Sequence, residues 1–442
     1  MRQYYYLLYL LVVVSYLFAY FTGATLLNYV ASAVMMVALL LSFIYATNLF
    51  KVLGLLFLSV GVYLVFTYDI QGFWLFFNSN TGLVALLLML PWMNNAVRAG
   101  GFDRKLQQLL KSNVSHAGSL YVRAKATSYI LVTFINLSAL YVAQNLLKEQ
   151  LKGWKEKNTF ISQTTLRAFA LALAWSPMEV LVAISVDATG VSYLTLFPWL
   201  LAISLITFSI DSFFGKRRYQ HVPIDKQEAR PVPIMSILHL FLVLSLFLVA
   251  IVSISSFFNL SFILTVTLVI LPFAMLWSLC MGRIRRFLKI GVVNWKERAN
   301  GMQNFVVLFG SLAFFSDALN ASPVLGAFQT PFLALGEQPL LLFLLIQFTY
   351  LSMSMVGIHP IATVSILIEA VGPLMGVINP LSFGIILVTG ALATATVGTF
   401  GVTVTMTSMN TAQNPYRITK TNMPFALLYG SIGTIVAYLL TL

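Results

Sequence analysis

The chain has 442 residues, of which 59% are hydrophobic and only 9% charged. A soluble domain averages roughly 25% charged residues, so this composition excludes a water-soluble fold and requires a polytopic helical membrane protein. The formal net charge of +13 does not point to nucleic acid, because the basic residues lie in short loops between apolar runs, as the positive-inside rule expects. A single cysteine, Cys280, excludes an internal disulfide and a thiolate metal cluster.

In chain order, apolar runs long enough to cross a bilayer fall at roughly 5–22, 27–48, 52–68, 81–97, 126–146, 162–190, 191–211, 233–254, 260–281, 303–319, 340–371, 379–407 and 423–441. The expected fold is all-α, with about 11–13 membrane segments. It is read as scaffold helices over 1–80, a first repeat over 81–211, a basic linker with a connecting helix pair over 212–302, and a second repeat over 303–442. The first run, from Tyr5 to Tyr20, reads as a retained helix, because it lacks a small-residue cleavage site.

Orientation comes from the basic residues. They cluster at Arg2; at Lys51; at Arg98, Arg104, Lys105, Lys111, Arg123 and Lys125; at Lys216, Arg217 and Arg218; and at Arg283, Arg285, Arg286 and Lys289. Placing these on the cytoplasmic side puts the N-terminus in the cytoplasm and gives spans 81–97 and 303–319 opposite directions. Both spans end alike, in Met93-Asn94-Asn95-Ala96 and Phe315-Ser316-Asp317-Ala318. Two similar halves of opposite orientation are the pattern of an inverted repeat. Span 126–146 resists a simple assignment, having lysines on both sides. Either it is a re-entrant hairpin with its tip near Asn136-Leu137-Ser138, or the loop 147–160 faces outward. The longest hydrophilic stretch, about 213–232, joins the halves.

Two apolar segments are broken by proline. One reads Trp175-Ser176-Pro177-Met178-Glu179, followed by Asp187 and Gly190; the other reads Ile358-His359-Pro360-Ile361-Ala362-Thr363, followed by Glu369 and Gly372. Proline removes a backbone donor and clashes with the preceding turn, and lipid offers no partner for the freed groups. A half-helix starting at such a break aims its free N–H groups and positive dipole end at whatever fills it, which suits an anion. Ser176 and Thr363 would add hydroxyls. Glu179, Glu369 and Asp187 are acids in apolar runs, where each is costly unless paired, protonated or wet. They are the expected coupling-ion or proton sites, together with His359, because an unperturbed histidine titrates near neutrality. A third segment, Ala393 to Thr405, is rich in glycine and threonine; Thr396 and Thr399 there could hold Na⁺ or substrate, or serve close helix packing.

No phosphate-binding loop, zinc-protease helix or nucleophile elbow is present. The segment from Gly357 to Leu367, Asn379-Pro380 and the Thr/Gly-rich span resemble the second half of ion-transporter-superfamily permeases, including divalent-anion/sodium symporters and dicarboxylate carriers. That family carries Ser-Asn-Thr at its hairpin tips, where this chain has Trp175-Ser176-Pro177 and Ile358-His359-Pro360. The resemblance implies re-entrant hairpins and elevator-like alternating access. The resulting expectation is a secondary transporter, not an enzyme, in the plasma membrane. It would move a small, anionic solute with H⁺ or Na⁺ and need no cofactor beyond that ion. Ser176, Pro177, His359, Pro360, Thr363, Thr396 and Thr399 would bind the solute. The expected partners are the solute and the lipid bilayer, with a homodimer allowed. The alternative is a polytopic enzyme of lipid-linked polysaccharide assembly, although such enzymes usually carry a large external loop that this chain lacks.

Overall fold

The computed structural model describes residues 2–107, 116–224 and 234–442. Lys111 and the hydrophilic residues 225–232 lie outside the described residues. The helices in chain order are α1 (Tyr5–Thr22), α2 (Thr25–Tyr45), α3 (Asn48–Thr67), α4 (Thr81–Ala99), α5 (Phe102–Gln107), α6 (Ala117–Ile135) and α7 (Leu137–Gln150). Then come α8 (Lys157–Leu173), α9 (Val180–Thr189), α10 (Tyr193–Tyr219), α11 (Ile234–Phe258), α12 (Phe262–Cys280), α13 (Ile284–Ala299) and α14 (Gln303–Asn320). The last are α15 (Val324–Leu333), α16 (Pro339–Met355), α17 (Pro360–Val371), α18 (Pro380–Thr394), α19 (Val402–Thr411) and α20 (Pro415–Leu439). Among the described residues, eight helices are long and apolar enough to cross a membrane, or nine if the bent pair α13–α14 makes one span. Shorter apolar helices supply half-length segments. The chain is an all-α polytopic membrane protein.

The chain forms two compact units. The first holds residues 1–96, 257–336 and 365–374. Its core is α14 against α2 and α3, brought close by glycine: a Cβ at Gly61 would stand 2.7 Å from the Phe314 ring, and Phe314 also stacks on Phe77 at 4.8 Å. Tyr5 donates to the Leu41 carbonyl at 2.7 Å and Tyr9 bonds Ser42 at 2.8 Å, pairing α1 with α2.

The second unit holds residues 97–256, 337–364 and 375–442. Here α8 is the central helix, buried continuously from Thr159 to Leu173. The chain reverses at Asn136, whose φ is 50°, within the stretch where a hairpin tip is one of two sequence expectations. Consequently α6 and α8 run parallel: the Tyr121 ring packs on Phe160 near the start of α8, and Tyr129 packs on Trp175 just past its end. Between them α7 returns, with Gln144 donating to Thr165 at 3.2 Å.

One element order occurs twice. A helix pair, α6–α7, leads into a broken helix, α8/α9, and then a long helix, α10. Likewise α16 and α17, separated at 356–359, lead into α18/α19 and then α20. Both α9 and α19 have ten residues. Both end on a left-handed residue, Gly190 (φ 67°) and Ala412 (φ 53°). Both are followed by a side-chain cap: Ser192 accepts from the Thr195 N–H, and Asn414 accepts from the Tyr416 N–H with Pro415 opening the helix. That Asn-Pro start also begins α20 eight residues ahead of the expected span at 423, so Arg417 is helical. By this order the counterpart of the proline break at 174–179 is the break at 395–401. The interruption at 356–359, ahead of Pro360, corresponds to the turn at Asn136.

Candidate functional site

The first break is a tight turn. The Ser176 N–H donates to the Leu173 carbonyl and the Glu179 N–H to the Ser176 carbonyl, both at 3.1 Å. The Ser176 Oγ accepts from the Met178 N–H at 3.4 Å. Ser176 and Pro177 are buried, whereas Glu179 is half-buried at the position capping α9. Asp187 is half-buried two turns further along α9. Trp175 fixes the turn from outside: its ring N–H donates to the Tyr129 hydroxyl, and its carbonyl accepts from the Tyr193 hydroxyl, each at 2.5 Å.

The second break is built from hydroxyls. Thr396 donates to the Ala393 carbonyl at 2.8 Å, and Thr403 to the Ala395 carbonyl at 2.5 Å. Thr399 and Thr419 share a hydrogen bond at 2.9 Å, and Thr419 donates to the Val397 carbonyl at 2.9 Å. A Cβ on Gly398 would lie 3.6 Å from the Ser354 Cβ, so the end of α16 abuts this break. His359 is half-buried in the turn between α16 and α17, its Nδ1 accepting from the Ile361 N–H at 3.3 Å. Thr363 is buried in the first turn of α17.

Glu369 is placed elsewhere. It belongs to the first unit, where its Oε1 accepts from Ser316 at 2.6 Å and its carbonyl accepts from Gln329 at 2.8 Å. Asp317, beside it in that unit, accepts a short hydrogen bond from Ser79. Ten residues of sequence separate Glu369 from His359, about 15 Å of helix.

The second unit also contains a buried ionic cluster that the sequence reading missed. Asp211 accepts from Lys125 and from Arg167 at 2.6 Å each, and from the Tyr121 hydroxyl at 3.0 Å. Arg167 also donates to Asn422 at 2.9 Å and to the Thr421 carbonyl at 3.0 Å. Lys125 donates to the Phe208 carbonyl at 3.2 Å and lies 4.5 Å from the centre of that ring. Gly215 lets Tyr121 in, since any Cβ there would overlap the tyrosine ring. Lys125, counted with Arg123 among the cytoplasmic charges, is therefore fully buried. Its anion lies 86 positions away, on another helix. The available signal was two charges in apolar runs, Arg167 and Asp211, of opposite sign.

A third polar set docks the α6–α7 hairpin onto α19. Gln144 donates to Thr407 at 2.8 Å and accepts from Asn410 at 2.9 Å, while Lys148 bonds the Asn410 carbonyl and, at 3.1 Å, its side-chain oxygen. No group of three or more His, Cys, Asp or Glu able to hold a metal occurs among the described residues.

These features define a helical membrane fold with two broken helices in repeated order. The solved structure of the YdaH transporter of Alcanivorax borkumensis is similar, with a TM-score of 0.61 over 89% of this chain and 98% of that one at 14% identity. At that identity the likeness is one of fold. No family model matches the chain, and no curated protein matches it in sequence.

Proposed function

We propose that the protein is a secondary transporter, not an enzyme, that moves a small anionic solute together with H⁺ or Na⁺ by elevator-like alternating access. The observation that carries this is the repeated pair of broken helices, each restarting as a ten-residue half-helix. Such half-helices aim free N–H groups and a positive dipole end at their break, a fit to an anionic group. The likeness to the YdaH transporter supports the reading. In it, Ser176, Thr396 and Thr399 contact the solute, as do His359 and Thr363 at the start of α17. Glu179, at the start of α9, carries the coupling ion or proton. The α6–α7 hairpin is re-entrant, and the ionic cluster at Asp211 is the rigid frame behind the first break. The distribution of lysine and arginine supports a cell-membrane protein with a cytoplasmic N-terminus.

The test is uptake into proteoliposomes from a panel of organic and inorganic anions, with and without pH and Na⁺ gradients. Gradient-driven accumulation of one anion class is expected. Absence of flux for every solute, or flux indifferent to both gradients, overturns the proposal.

A further inference from the structure

The helix α13 is set apart by its charge. Residues 283–298 contain six cations (Arg283, Arg285, Arg286, Lys289, Lys296 and Arg298) and one acid, Glu297. Its buried residues are Phe287, Gly291, Trp295 and Ala299, a stripe at every fourth position. That stripe is locked to α4 and α1 of the same unit. The Trp295 ring N–H donates to the Leu88 carbonyl at 2.9 Å, and Trp92 packs on Phe287 and Trp295 with ring centres 5.5 and 6.1 Å away. Gly291 makes room, because a Cβ there would stand 2.7 Å from the Trp92 ring. Asn95 donates to the Gly291 carbonyl at 3.4 Å and accepts from Asn294 at 3.0 Å. Asn300 caps the assembly by accepting from the Tyr6 N–H at 2.9 Å.

The remaining surface of α13 is organised. At 3.6 residues per turn, Arg285, Lys296, Lys289 and Arg286 fall within an arc of about 100° facing away from the buried stripe. Arg285, Arg286 and Lys289 are exposed and form no ion pair among the described residues. Leu288 and Val292, 42% and 39% exposed, lie between the buried stripe and the basic arc, and Val293, 63% exposed, lies among the basic residues of that arc. The axis of α13 is bent 56° from α14, the apolar helix that follows it. A helix with one face anchored in protein, an uncovered apolar edge and a basic arc is built for the membrane interface. The bend sets α13 off the direction of the apolar helix that follows it.

We propose that α13 is an interfacial helix that selects anionic phospholipid headgroups. Arg285, Arg286 and Lys289 contact the phosphates, and Leu288 and Val292 rest on the upper acyl chains. Charge complementarity is the basis for the choice of lipid. Three basic side chains near an anionic surface give roughly a hundredfold in affinity, at about 1 kcal/mol each. The assignment is independent of what the protein transports.

The experiment is native mass spectrometry of the purified full chain with phosphatidylglycerol and phosphatidylcholine as probes. The wild type should retain phosphatidylglycerol preferentially, and the preference should fall as ammonium acetate is raised. The exposed triple substitution Arg285→Gln, Arg286→Gln and Lys289→Gln should reduce it roughly tenfold or more. The control triple Lys216→Gln, Arg217→Gln and Arg218→Gln, at exposed positions near the end of α10, should leave the preference unchanged. Equal retention of both lipids by the wild type, a salt-independent preference, or equal loss in both triples overturns the proposal. Displacement of the bound lipid by inorganic phosphate alone also overturns it, by assigning a free-anion site instead.

Discussion

The two broken helices share an order of elements and differ in chemistry. The break at 174–179 is closed by proline and by backbone turns around Ser176, with the acid Glu179 at the head of its half-helix. The break at 395–401 has no proline and adds threonine hydroxyls to its backbone turns, in which the Gly398 N–H donates to the Thr394 carbonyl at 2.7 Å and the Gly401 N–H to the Gly398 carbonyl at 2.8 Å, with Thr419 of α20 reaching into it. Broken backbone in a membrane protein needs partners for its freed groups, and those partners can be the chain's own turn or a neighbouring helix. Both breaks are closed in part by turns of their own backbone; the first is also held by the Tyr193 hydroxyl of α10 and the second by the Thr419 hydroxyl of α20.

The largest expected effect tests the frame behind the first break. Asp211→Ala leaves Lys125 and Arg167 buried without their anion, and should destabilise the protein by about 3–5 kcal/mol. Thermal unfolding in detergent measures it; a wild-type midpoint would show that the cluster does not support the fold. Next comes the difference in acids. Glu179→Gln should abolish dependence of uptake on the driving gradient while leaving the protein folded, and unchanged gradient dependence in proteoliposomes would remove Glu179 from the coupling role.

Smaller effects probe the hydroxyls of the second break. Thr419→Val should cost about 1–3 kcal/mol, because the Val397 carbonyl and Thr399 lose a buried partner. A double-mutant cycle with Thr399→Val should show coupling between the two; additivity would mean that their hydrogen bond contributes nothing. The smallest effect should come from Pro177→Ala. The turn bonds of Ser176 and Glu179 do not involve the Pro177 ring, so the break should persist with a stability change within about 1 kcal/mol. A large loss of stability would make the proline, rather than the turn, the origin of the break.

Signals that lie close together in the chain are legible in the sequence. The interruptions at 174–179, 356–359 and 395–401 all fall within stretches marked by proline, glycine or threonine in the sequence. Their pairing was less accessible. Searching for proline matches Pro177 with Pro360, but the repeat pairs Pro177 with a threonine-glycine break, because different residues can stop a helix at equivalent places. Glu369 follows Pro360 as Asp187 follows Pro177, yet it bonds Ser316 in the first unit.

Composition alone set the membrane class, since 9% charge cannot cover a soluble surface, and apolar run length set most of the helices. Lys125, Arg167 and Asp211 needed the tertiary structure. Each looks like a separate surface or membrane-edge charge until α6, α8 and α10 bring them within 2.6 Å. Hydropathy is a property of neighbours along the chain, whereas the desolvation that makes these charges pair is a property of neighbours in space.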